Sequence, residues 1–159
     1  MSQPGPEHFR YDEDPDLPGW KRWQILDEGR FNSFIGALSV KAEGDRIARV
    51  RHRFAREHSN LRDHIHGGAL AGFIDMALFA ASRGLGILAG PASTVDLSIQ
   101  FVAGGAIGAE TEAEVELLRE TGRMLFLRGV VRQGDLTIAS FLGTIRKSSP
   151  PGGTQTVES

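Results

Sequence analysis

Cysteine is absent from the 159 residues. That rules out a disulfide framework, a zinc site built on thiolates and a thiol nucleophile. An excess of one charge is missing too. Lys and Arg number 18 against 20 Asp and Glu, and the signs are mixed along the chain to a net −2. A nucleic-acid partner would need a basic face, so none is expected. Long hydrophobic runs are also lacking. The longest uncharged run in the central apolar segment, residues 65–74, is too short to cross a bilayer, which takes about 20 residues. The N-terminus, MSQPGPEHFRYDEDPDLPG, is polar and acidic and does not read as a secretory signal. The expectation is a soluble cytoplasmic protein with no membrane partner.

The length suits one domain, which can bury roughly two thirds of its unfolded surface without a staple. Both ends read as poorly ordered tails. Residues 1–19 carry Pro4, Pro6, Pro15 and Pro18 among acids, and residues 148–159, SSPPGGTQTVES, offer Val157 as the one large apolar anchor. The domain is expected over residues 20–147. Strand signals dominate it. Residues 34–42 and 47–54 are two candidates separated by Glu43-Gly44-Asp45. Residues 94–102, TVDLSIQFV, alternate Val95, Leu97, Ile99 and Phe101 with Asp96, Ser98 and Gln100. Residues 110–118, 124–132 and 136–146 follow, joined by hairpin-length turns that imply antiparallel neighbours. One helix with about six strands makes an α+β layer.

The helix lies in HIHGGALAGFIDMALFAASRG, residues 64–84. Leu70, Phe73, Ile74, Ala77, Leu78 and Ala81 form a core-facing stripe. The other side, Ala69, Gly72, Met76, Phe79 and Ala80, is apolar as well. Such a helix is buried all round, and both a second subunit and a sheet that curls around it are expected to cover it. Between Ala69 and Ser82 the single ionisable group is Asp75. A carboxylate there is either a structural acid hydrogen-bonded across an interface or a base or nucleophile in a dry cleft. Gly67 and Gly68 open the helix, where free N–H groups can hold a developing oxyanion, or where two glycines simply make a tight turn. Gly67 and Asp75 are eight residues apart, about 12 Å along one helix. One carbonyl cannot touch both. If both act on it they come from two chains, as in a symmetric dimer with antiparallel helices.

The run Asn60, His66-Gly67-Gly68 and Asp75, in this spacing, resembles the hot-dog-fold acyl-CoA thioesterases of the phenylacetate-degradation type. The likeness covers about residues 31–147. It implies one long helix wrapped by a curved antiparallel sheet, and hydrolysis of an acyl-CoA to a free acid and coenzyme A, with no bound metal or other cofactor. By the same resemblance Asp75 activates water or attacks directly, the Gly67 amide polarises the carbonyl, Asn60 assists from that side, and His66 fixes the loop. A hydroxyl, Thr94 or Ser93, positions the water. Sites at the interface of homodimers, which commonly pair into homotetramers, are implied too. Gly68, Phe73 and Met76 are candidate substrate contacts, though core packing would look the same. One departure stands out: the family often has glycine where this chain has Asp63, and an added acid there could weaken anion binding.

Three other readings are open. His58, Asp63, His64 and His66 could bind zinc. The fold could hold acyl-CoA or an aromatic ligand without turning it over. A hydratase would need His66 and Asp75 to converge on one substrate. Arg83, Arg119, Arg123, Arg128 and Lys147 could meet the phosphates of coenzyme A or simply be solvated.

Overall fold

A computed structural model describes residues 8–148. The elements are β1 (Phe9–Glu13), β2 (Lys21–Ile25), α1 (Phe31–Ile35), β3 (Leu38–Glu43), β4 (Ile47–Arg53), α2 (Gly67–Gly84), β5 (Ala92–Phe101), β6 (Glu110–Glu120), β7 (Met124–Gln133) and β8 (Leu136–Lys147). They build one sheet in the order β1-β2-β3-β4-β6-β7-β8-β5, each neighbour antiparallel. After β4 the chain crosses the sheet through α2 and lays β5 at the far edge. β6, β7 and β8 then fill the gap.

Alternation decides which face packs. In β6, Thr111, Ala113, Val115 and Leu117 are buried, while Glu112, Glu114 and Glu116 face outward. On that outer face Arg49 meets Glu112 at 2.7 Å and Glu114 at 3.1 Å, and Arg128 meets Glu116 at 2.8 Å. The inner face carries α2. One glycine lets the helix approach the sheet and another lets neighbouring strands pack. A Cβ on Gly143 of β8 would lie 2.5 Å from Leu78 Cδ1, and one on Gly129 of β7 only 2.1 Å from the Glu114 carbonyl oxygen.

The sheet has eight strands, not about six. β1 lies inside the stretch expected to be a poorly ordered tail. Its prolines and acids hide a hairpin whose Asp14 is buried, taking a 2.5 Å hydrogen bond from Ser39 Oγ and a 3.1 Å one from Arg22 Nη2. The hairpin covers the C-terminal turn of α2, where the Arg83 guanidinium lies 5.0 Å from the rings of both Phe9 and Tyr11. A second difference is at residues 34–42, expected as one strand. Residues 31–35 are a turn of helix, Gly36 reverses the chain at φ 107°, and β3 starts at Leu38. The expected C-terminal tail lies outside the described residues from 149 onward.

The expected core stripe of α2 is buried throughout, and so are Ala69, Met76 and Ala80. The curl of the sheet therefore accounts for most of the helix's apolar circumference within one protomer. What stays partly open is one stripe: Gly68, Ala71, Gly72, Asp75 and Phe79.

Candidate active site

The loop before α2 is latched by backbone and side chains alike. His58 is buried, accepts from the Ala55 amide at Nδ1 (2.9 Å) and donates from Nε2 to the Phe34 carbonyl (2.6 Å). Asn60 Oδ1 accepts from the amides of Arg62 (2.9 Å) and His64 (3.2 Å). Between them Asp63 has φ 58°. This left-handed position explains a family glycine, and Asp is one of the few other residues that tolerates it. The loop then docks through the Ile65 amide on the Gly105 carbonyl and the His66 amide on the His58 carbonyl.

His66 is the N-cap of α2. Its Nδ1 accepts from the Gly68 amide at 2.8 Å, which satisfies one of the donors left over at a helix start. The two glycine amides are therefore not equivalent. Gly68 N–H is taken by the cap. Gly67 N–H, in the first turn, has no acceptor within the helix. Room above Gly67 is ample: a Cβ there would first meet Phe101 Cζ at 3.7 Å.

Asp75 lies two turns further along the open stripe and is half-buried. Thr94 Oγ1 donates a 2.5 Å hydrogen bond to its Oδ1. That bond separates the two candidate hydroxyls. Ser93 has the opposite parity on β5 and lines a recess with Val95, Arg146, Lys147 and Ser148, away from Asp75. Phe73 and Met76 are not at the open stripe either. Phe73 is fully buried, stacked on His52 and edge-on to Phe54, and Met76 is buried in the core as well. Gly68 is exposed at the helix mouth.

His58, Asp63, His64 and His66 do not converge. Both ring nitrogens of His58 are spent on backbone groups, and no group of three or more His, Asp or Glu among the described residues is arranged to hold a metal. Of the basic candidates, Arg83 packs on rings, Arg128 pairs with Glu116, and Lys147 pairs with Glu120. Two features had no separate signal in the sequence. Phe101 alternates like a core residue yet is 54% exposed, and Phe31 is 58% exposed above Gly72.

Residues 63–140, which span the end of the loop, α2, β5, β6, β7 and the first five residues of β8, match the family model described as the thioesterase superfamily. Over that segment the chain is similar to the thioesterase superfamily. Solved structures agree on the fold. A conserved protein from Pseudomonas aeruginosa is 26% identical over 79% of this chain and 96% of its own, with a TM-score of 0.64. A mutant of the phenylacetic acid degradation protein PaaI from Thermus thermophilus is 26% identical over 70% of this chain and 93% of its own, with a TM-score of 0.59. A hypothetical thioesterase with coenzyme A from Streptococcus pneumoniae shares the fold at 16% identity, covering 72% of this chain and 88% of its own, with a TM-score of 0.62. A search of the curated proteins finds no match. The one long helix on an open antiparallel sheet is thus the hot-dog fold, here with eight strands. No helix among the described residues is long and apolar enough to cross a membrane.

Proposed function

We propose that this chain hydrolyses an acyl-CoA thioester to a free acid and coenzyme A. The observation that carries the proposal is the Thr94–Asp75 pair: a half-open carboxylate with one oxygen held by a hydroxyl, on a helix otherwise apolar from Ala69 to Ala81. Its second oxygen is left to work. As a base it takes a proton from water while that water attacks the thioester carbonyl. As a nucleophile it attacks the carbonyl itself, and water then cleaves the resulting anhydride. In both routes negative charge gathers on the carbonyl oxygen, and the Gly67 amide is the donor that meets it. When the carbon–sulfur bond breaks, the coenzyme A sulfur leaves as thiolate and takes up a proton. His66 holds the mouth in shape. Asn60 has its oxygen tied into the loop, so its NH₂ is the part that assists. One solved protein of this fold holds coenzyme A, which supports the CoA thioester as the substrate form.

Each site is shared by two chains. Gly67 and Asp75 lie about 12 Å apart on one helix, so a carbonyl reached by both needs a dimer. Two features support that assembly. β5 is an edge strand paired on one side with β8, and Val95 and Phe101 on it and Val102 just beyond it are large and exposed. The dimers in turn pair into tetramers, and the protein works in the cytoplasm.

The test is thiol release from a panel of acyl-CoA substrates, trapped with a chromogenic disulfide. Wild type turns over, and Asp75→Asn loses about 10³-fold in kcat with its circular dichroism unchanged. Equal rates for the two proteins sink the role of Asp75. Tight binding of acyl-CoA with no thiol released makes the protein a binder instead.

A further inference from the structure

We propose that Phe31, on α1, is the wall that limits the length of the acyl group. The proposal rests on the thioesterase reading above. From Asp75 toward the helix mouth, the open stripe of α2 runs through Ala71 and Gly72 to Gly68. No side chain along it is larger than a methyl, so this stripe is the channel in which the acyl group is proposed to lie. The Phe31 ring closes that channel. A Cβ on Gly72 would lie 2.7 Å from Phe31 Cε1 and 2.8 Å from Cζ, so the ring rests directly on the Gly72 backbone. Gly72 and Asp75 are three residues apart, which on a helix is about 5–6 Å between Cβ positions. An acyl group that starts at Asp75 and follows the channel meets the ring after one helical turn.

The ring is held there, not loosely draped. α1 is anchored by Ile35, which is buried. Ser33 Oγ donates to the carbonyls of Asp27 (2.5 Å) and Ile25 (3.1 Å). Phe34, the neighbouring aromatic, stands edge-on to the buried His58 ring with centroids 4.8 Å apart. A large apolar ring fixed over a glycine, with more than half its surface open, is a preformed face for an apolar ligand. The space between ring and carboxylate takes a short aliphatic acyl group or a single ring, and turns away long straight chains.

The experiment measures kcat/KM of the full chain for a series of straight-chain acyl-CoA substrates from butyryl to lauroyl, for wild type, Phe31→Ala and Phe31→Leu. The readout is the lauroyl-to-butyryl ratio of kcat/KM. Wild type favours the short substrate. Phe31→Ala raises the ratio at least tenfold, and Phe31→Leu, which keeps the fold's apolar contact on Gly72, moves it part of the way. A ratio within twofold of wild type in both variants, with turnover still dependent on Asp75, overturns the wall and leaves the thioesterase reading intact. A wild type that favours lauroyl overturns the wall in the same way. Absence of thiol release from every acyl-CoA overturns both.

Discussion

Thr94 Oγ1 reaches Asp75 Oδ1 at 2.5 Å because β5 carries one extra residue. Unbroken alternation would put Thr94 on the outer face with Asp96, Ser98 and Gln100. Instead the register shifts between Thr94 and Asp96. Thr94 pairs with Ile145 and Leu97 with Gly143, and both partners face α2. Val95 is the bulged residue, and the bulge re-aims the hydroxyl. A hydrogen bond to a charged group is worth about 1.5–3 kcal/mol. Thr94→Val is therefore expected to lower kcat roughly 10–100-fold with little change in KM, while Thr94→Ser keeps most of the activity. Steady-state kinetics on the best acyl-CoA substrate checks both.

The sheet makes its own demand at Gly129. A Cβ there would lie 2.1 Å from the Glu114 carbonyl oxygen and 2.4 Å from Phe141 Cζ. The first neighbour is backbone of the adjoining strand and cannot step aside. Gly129→Ala should cost about 3 kcal/mol or more, which lowers Tm by roughly 6–12 °C in a domain of this size. Gly122→Ala, with nothing within 4 Å, should stay within about 0.5 kcal/mol. Thermal unfolding of the two variants side by side decides it.

Much of this fold was legible because period and burial agree. The stripe of α2 and the in–out alternation of β4 and β6 read directly from residue order. The candidate site drew attention for the same reason: a lone acid on an apolar helix and glycines at its mouth stand out against their surroundings. What failed to show depends on contacts between distant segments. Asp14 reads as a solvated tail residue until Ser39 and Arg22 are brought to it. Phe73 and Met76 read equally as lining or core, and only the sheet's curl puts them in the core. The bulge at Val95 inverts the parity on which Ser93 and Thr94 would be told apart. Asp63 is a departure in residue type but not in backbone, since its φ of 58° is one that glycine adopts freely.

His52 should make stability fall on mild acidification. Burial holds its imidazole below the ordinary value of 6.5, while the Ala37 carbonyl, 3.0 Å from Nδ1, pulls the other way. The unfolded chain therefore binds a proton near pH 6.5 that the folded chain refuses until lower pH. Where the unfolded state binds more protons, stability rises with pH, so this contribution is whole above about pH 6.5 and is lost as pH drops through the folded value. In Asp14 and Glu112 burial raises the carboxyl, but Ser39 and Arg22 at one, and Arg51 and Arg49 at the other, hold it low. Their contributions have the same sign and disappear at more acid pH. Tm measured from about pH 7.5 to 5 should fall for wild type and flatten in His52→Phe, which keeps a ring against Phe54 and Phe73.

Shared sites make a prediction that no single-chain arrangement can meet. Gly67 is the first residue of α2, and its N–H is the donor under test. Proline is welcome at that helical position and has no N–H. The preceding residue, His66, already has φ −59° and ψ 135°, which a following proline accepts. Gly67→Pro should therefore fold and lose about 10²–10³-fold in kcat, the effect of removing one oxyanion donor. Asp75→Asn removes the other half of the chemistry. In a dimer holding one chain of each kind, the intact Gly67 comes from the Asp75→Asn chain and the intact Asp75 from the Gly67→Pro chain. If they meet across the interface, one of the two sites is whole. Co-expression with two different tags, isolation of the dimer fraction by size exclusion and then purification through both tags gives that mixed dimer. Its expected activity is about half that of wild type, although each parent alone is nearly inactive. A mixed dimer no more active than its parents would mean that Gly67 and Asp75 do not serve one carbonyl from two chains.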